Sequence, residues 1–196
     1  MEFEGAKEYI LSRLARELDP TLYYHSIHHT QDVYEAAVRI AGMESITGNE
    51  LCHLHTAALF HDAGMLVGYE NHEEVSAALA REVLPSFRYS EKDIAVVTGL
   101  INVTRLPQNA KTKLEEIICD ADLDYLGRED FFIHSFQLRL EWELHGVIKT
   151  TLAEWLAVQV RFLSGHSYYT KSAIALRNEL KQKNLNEIQA LLQGIK

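Results

Sequence analysis

Residues 57–64 read Ala57-Ala58-Leu59-Phe60-His61-Asp62-Ala63-Gly64. A histidine and an aspartate follow directly on an apolar run. As a dipeptide, His-Asp means little, since chance alone gives about 0.4 such pairs in a chain of this composition. Placement carries the information. Leu51, Leu54, Ala58 and Asp62 lie at i, i+3, i+7 and i+11 of one helical stripe, so Asp62 belongs to the side that faces the core. A carboxylate is rarely buried unless it is paired or bound to a metal.

The same placement recurs on either side of this segment. His29 stands one turn before Val33 on a stripe continued by Ala37 and Ile40. Asp122 stands one turn after Ile118, with Leu114 further back. Three helices thus turn His29, His61, Asp62 and Asp122 inward. Two imidazoles and two carboxylates converging in an apolar interior call for a compensating cation, and a divalent metal with nitrogen and oxygen ligands satisfies all four. The alternative is four separately satisfied core polar residues. Asp120 and Asp124 compete with Asp122, but both fall roughly 200° away round the helix, a side expected to face solvent. His28 competes with His29 from one residue off the Val33 stripe.

The remaining punctuation is helical throughout. Stripes run over 3–18, 29–42, 49–62 and 72–84, and 130–145, 148–164 and 170–193 read the same way. The three prolines, Pro20, Pro85 and Pro107, fall where the patterns stop. Asn71 with Glu74, Ser90 before Glu91-Lys92-Asp93, and Thr112 with Glu115 predict helix starts. Tyr89 and Ile94 suit a hydrophobic staple around Ser90. Gly42, Gly127, Gly146 and Gly165 follow periodic runs, where left-handed C-caps belong. Ile94-Ala95-Val96-Val97-Thr98 could pass for a strand, but without a hairpin partner it reads as helix. The expectation is one all-α domain over residues 1–196, a helical bundle.

The pattern His29 … His61-Asp62 … Asp122 resembles the HD-domain superfamily of metal-dependent phosphohydrolases. The segment from Tyr24-His25-Ser26-Ile27-His28-His29 to Val33 is similar to the one that carries that family's first metal histidine. Its His-x-x-x-His spacing, His25 to His29, is that of the cyclic-nucleotide phosphodiesterase branch. Residues 57–64 are similar to the central motif, and Cys119-Asp120-Ala121-Asp122-Leu123-Asp124 to the last. The likeness covers about residues 20–127, with helices 130–193 expected to pack on that part.

The resemblance implies the family's all-helical fold and His29, His61, Asp62 and Asp122 as metal ligands. The chemistry implied is hydrolysis of a small phosphoester, a nucleotide among the candidates, by metal-activated water. Asp62 could also orient that water, and His25 could protonate the leaving oxygen. Some members carry further histidines before the final aspartate. This chain has none between His72 and His134, so one metal is expected, with His72 as a phosphate or water contact. Mn, Mg, Fe, Co, Ni and Zn are not distinguished. A metal-containing sensor without catalysis, or an iron oxygenase on a similar scaffold, are the alternatives. A di-iron bundle would need a second Glu-x-x-His besides Glu50-Leu51-Cys52-His53.

Phosphate recognition needs a cation, and Arg105, Lys111, Lys113 and Arg139 are candidates. Residues 162–170, with Phe162, His166, Tyr168 and Tyr169, could cover a pocket or simply pack between helices. Trp142 and Trp155 are expected in the core. Composition sets outer bounds. With 19 Lys and Arg against 28 Asp and Glu, the net charge is -9, which argues against a nucleic-acid polymer or an anionic membrane surface as partner. A small phosphorylated substrate is the expected partner. Two cysteines, Cys52 and Cys119, suggest buried free thiols in the cytoplasm rather than a disulfide framework. The amino terminus shows no apolar signal segment, and there is no P-loop motif.

Overall fold

Three helices start where a side chain takes over unmet backbone N–H groups. In a computed structural model, which describes residues 1–195, nine α-helices occur in the order α1 (Phe3–Glu17), α2 (Ile27–Met43), α3 (Gly48–Phe60), α4 (His72–Val83), α5 (Glu91–Asn102), α6 (Lys113–Asp122), α7 (Phe131–Leu144), α8 (Leu152–Gly165) and α9 (Lys171–Ile195). Short 3-10 turns occupy Ala63–Leu66, Leu84–Phe87 and Asp124–Gly127. No strand occurs among the described residues, and 94–98 lie inside α5. No helix there is long and apolar enough to cross a membrane.

The expected caps are present at two of three places. Ser90 accepts from the Asp93 N–H while Asp93 accepts from Ser90 N–H, and Thr112 and Glu115 form the same reciprocal pair. A third box, Thr151 with Glu154, starts α8 at Leu152, four residues after the expected 148. Asn71 does not cap α4. Its backbone is left-handed and its side chain takes a hydrogen bond from Arg105 instead. Of the four glycines expected in left-handed caps, only Gly146 has a positive φ, of 69°. The left-handed residue after α2 is Ser45.

Two apolar clusters organise the packing. The first joins α1 to α6 and includes Ile10, Leu14, Val33, Ile40, Leu54 and Phe60. The second joins the Asp124–Gly127 turn to α7, α8 and α9 and includes Leu126, Phe131, Trp155, Leu163 and Ile188. Tyr24 and Leu123 belong to the second cluster although nearby Ile27 and Ala121 pack in the first. The seam between the clusters therefore runs beside α2 and the end of α6. Trp155 is buried, as expected, but Trp142 is only half-buried. Cys119 is buried, Cys52 is partly exposed, and both are free.

Candidate metal centre and its pocket

The chain turns at the end of α3 because two contacts pin it there. His61 keeps helical backbone angles, and Asp62 then opens the 3-10 turn. Gly64 donates its N–H to Ser76 Oγ at 2.7 Å. It also sits so close to α4 that a Cβ on it would lie 2.0 Å from the His72 carbonyl oxygen. The turn bearing His61 and Asp62 is thereby fastened to the start of α4. α2 packs against both α3 and α6. This brings His29 from the first turn of α2 and Asp122 from the last residue of α6 to the same place.

The donor atoms converge. His29 Nε2 and His61 Nε2 are 3.4 Å apart. Asp122 Oδ1 stands 3.5 Å from the first and 3.6 Å from the second. These three atoms lie within 4.8 Å of one another, and Asp62 Oδ2 joins them at 3.4 and 3.2 Å from the same two ring nitrogens. Such spacings exceed a normal N–H···O bond of about 2.9 Å. They suit atoms that share one ion at arms of about 2.1 Å. His61 Nδ1 is 2.8 Å from the Ala58 carbonyl, which fixes Nδ1 as the protonated nitrogen and leaves the Nε2 lone pair for a cation. Gln108 Nε2 donates to Asp122 Oδ2 at 3.0 Å and holds that carboxylate in the same way. His29, His61 and Asp62 are buried. The donor set thus fits a divalent metal.

Electrostatics agree with the geometry. Burial alone would lower the imidazole pKa values of His29 and His61, but Asp122 and Asp62 outweigh it and hold both above the ordinary histidine value. Burial would raise Asp62 and Asp122, and the same histidines outweigh it and hold both carboxylates down. His72 belongs to this cluster as well. Its Nε2 is 3.5 Å from Asp62 Oδ1 and 3.6 Å from Glu73 Oε1, and its Nδ1 is 3.1 Å from the Tyr69 carbonyl. Burial works against its charge, but Asp62 pushes its pKa up to about 9.

A cavity of about 470 Å³ opens over the cluster, with His29, Asp62, Asp122, His25 and His72 among its lining residues. His25 is held by Glu141 of α7, whose side chain is fully buried. Of the four candidate phosphate cations, Arg105 alone lines the cavity among the described residues. It bonds Glu74 at 2.8 Å and also Asn71. Lys113 is paired with Glu116 and Glu44. Arg139 is tied to the Thr150 carbonyl, and Lys111 is exposed elsewhere.

Several expectations need correction. Asp120 and Asp124 make their contacts away from the metal cluster, but neither faces solvent. Asp120 accepts from the N–H groups of Tyr169 and Thr170, both at 2.8 Å. Asp124 is clamped by Arg177 at 2.7 and 2.9 Å and by Arg39 at 3.1 Å. The α8–α9 connection and α9 cover them. His28 is exposed, so it leaves the role to His29. Residues 162–170 do not close over the cavity. Phe162 lines it, while His166, Ser167 and Tyr169 line an adjoining groove. Trp142 is a wall of the cavity rather than core. Glu50-Leu51-Cys52-His53 takes no part, since His53 pairs with Asp93 at 2.7 Å. Glu141, Tyr69, Gln108 and Gln159 were not singled out from sequence, because each looks like an ordinary polar residue of a helix or turn.

Residues 26–124 match the family model described as HD domain. An uncharacterized protein of Clostridium beijerinckii is 33% identical over 84 residues, which cover 41% of this chain and 53% of that protein. The chain thus spans about half the length of this relative. Among solved structures, Bacillus subtilis YpgQ, determined in complex with ADP, is 18% identical with a TM-score of 0.66 over 98% of this chain and 97% of its own. A predicted HD superfamily hydrolase from an uncultured Thermotogales bacterium is 20% identical with a TM-score of 0.60 over 98% and 92%. At these identities the two structures share the fold.

Proposed function

The chain belongs to the HD-domain family, and from that premise we propose that it is a metal-dependent phosphohydrolase acting on a small phosphoester, nucleoside phosphates first. One observation carries the reading: the nitrogens of His29 and His61 and the carboxylate oxygens of Asp62 and Asp122 meet at one point of a cavity sized for a small ligand. When bound there, a divalent ion supplies Lewis acidity, making water a nucleophile near neutral pH and polarising a phosphoryl oxygen.

The chain's own residues supply the remainder. Asp62 offers Oδ2 to the cluster and turns Oδ1 to His72, an orientation that can hold the attacking water. His25 binds Glu141 through Nδ1. Its Nε2 is then free to pass a proton to the leaving oxygen. His72 is fixed through Nδ1 and presents Nε2 to phosphate or water. Arg105 at the rim answers phosphate charge, which a chain of net charge -9 does not otherwise attract. The ADP bound to YpgQ, a protein of the same fold, supports nucleoside phosphates as the first substrates to assay.

The test begins with metal analysis of protein purified without chelator. A panel of phosphoesters follows, with Asp62→Ala as control. About one divalent ion per chain and phosphate release that disappears in Asp62→Ala support the reading. Metal-free protein, or activity indifferent to Asp62→Ala, overturns it.

A further inference from the structure

The cavity is lined by two unlike sets of residues. One comprises the candidate metal donors with His25, His72 and Arg105. The other comes from α7 and α8, with apolar Leu138, Trp142, Val158 and Phe162 and one polar side chain among them, Gln159. Gln159 is only 3% exposed, and its Oε1 has no hydrogen-bond partner among the described residues. Buried polar atoms are nearly always paired, and this one is covered as the side chain stands, so an unpartnered carboxamide on a cavity-lining residue marks a place where a ligand can supply the missing group once the amide turns toward it.

The surroundings narrow what that ligand is. Phe162 follows Gln159 by three residues on α8, so its ring and the amide share the helix side that faces the cavity. Trp142 adds a second aromatic wall. Apolar and aromatic walls with one carboxamide suit a flat ring that carries polar atoms on its edge. A carboxamide offers an acceptor and a donor side by side, the pairing that nucleobase edges present. Aromatic side chains stack on any base face.

Resting on the phosphohydrolase reading for the phosphate, we infer that the Gln159 lining of the cavity is a base subsite: the substrate is a nucleoside phosphate whose base stacks against Phe162 and Trp142 and is hydrogen-bonded by Gln159. The amide can turn about its last torsion and meet either order of donor and acceptor. It therefore selects a base over no base and does not by itself choose among the four.

The experiment compares kcat/KM for nucleoside 5′-monophosphates and for ribose 5-phosphate, which has the same phosphoester and no base, in the metal-loaded full chain, and measures nucleoside diphosphate binding directly by calorimetry. The wild type prefers the nucleoside substrates. Gln159→Leu lowers that preference ratio about tenfold, mostly through KM, because the base contact is the same before and during reaction. It also weakens nucleoside diphosphate binding to the same extent. Its Tm stays at or above the wild-type value, because the Oε1 it removes had no partner to lose. Gln159→Met, of similar length and equally without amide, serves if the leucine variant does not fold.

An unchanged ratio, or a Tm that falls with equal loss on both substrates, overturns the subsite. The two readings fail separately. Gln159-dependent nucleotide binding without hydrolysis of any phosphoester leaves the base subsite standing and removes the hydrolase. Phosphoester hydrolysis with no preference for a base does the reverse.

Discussion

Glu141 and His25 are bonded to each other although 116 residues separate them. The Glu141 carboxylate also accepts from the backbone N–H groups of Tyr24 at 2.7 Å and His25 at 3.0 Å, and from the Tyr69 hydroxyl at 2.5 Å. One buried side chain on α7 therefore fixes the loop before α2, the tautomer of His25 and the tip of the 69–71 connection. Replacing it with its isostere, Glu141→Gln, turns an NH2 group toward donors. The expected cost is about 3 kcal/mol of stability, as for a broken buried charge pair. A loss in kcat of about 10²-fold with little change in KM is also expected, because the proton donor is mispositioned while the metal ligands stay. Thermal unfolding and steady-state kinetics check both, and a variant with wild-type kcat would remove His25 from proton transfer.

Glu141 also predicts acid sensitivity. Burial would raise its pKa, but the donors from His25, Tyr69 and Tyr24 outweigh burial and hold it below the ordinary 4.5. A carboxyl group whose folded pKa is depressed adds stability above its unfolded value, and that stability is lost as pH falls through the folded value. The wild type therefore loses Tm more steeply below pH 4.5 than Glu141→Gln does. Unfolding curves collected from pH 3 to 6 test this, and parallel curves would contradict it.

Metal removal has a signed outcome as well. In the absence of an ion, His29 and His61 hold protons above the usual histidine value, and an ion must displace them. Uptake of metal is thus expected to release protons and to weaken as pH falls. Chelation is expected to lower Tm, and re-addition to restore it by mass action. Calorimetry in buffers of different ionisation enthalpy counts the protons. Binding that strengthens on acidification would rule out these imidazoles as ligands.

His72 supplies the alkaline counterpart in chelated protein. Its pKa is raised to about 9 in the folded state. A raised histidine adds stability that is complete below its unfolded value of 6.5 and is lost as pH rises through the folded value. The chelated wild type therefore loses Tm between about pH 6.5 and 9, and His72→Gln flattens that slope. A slope unchanged by the substitution would show that His72 does not sense Asp62.

Gly64→Ala tests the fastening of the His61-Asp62 turn. A methyl group 2.0 Å from the His72 carbonyl cannot be accommodated without moving α4 or the turn, at a cost of about 3 kcal/mol or less if both relax. Because the turn carries two of the four donors, metal affinity is expected to fall together with Tm. A variant that loses Tm yet binds metal as the wild type does would show that the strain is absorbed in α4.

The metal side of this arrangement was legible in sequence for a specific reason. His29, Asp62 and Asp122 interrupt apolar stripes, and a polar residue on a core stripe stands out without any knowledge of what packs on it. Asp120 and Asp124 were misplaced by the same method, because helical phase places a residue on one side of α6 without revealing that α9 and the α8–α9 connection cover that side. Glu141 and Gln159 were illegible for the opposite reason. Each sits on a helix where a polar residue is ordinary, and only the packing of α7 on the Asp124–Gly127 turn and of α8 on α9 shows that it is buried. Arg105 was one of four equivalent cations until the fold placed it at the rim.

The seam between the two apolar clusters divides the cavity's lining between two stretches of chain. All four candidate metal donors lie within residues 26–124, whereas Leu138, Trp142, Val158, Gln159 and Phe162 come from helices outside that span. Substitutions on those two helix faces can therefore reshape what the cavity admits while the candidate donors stay in place.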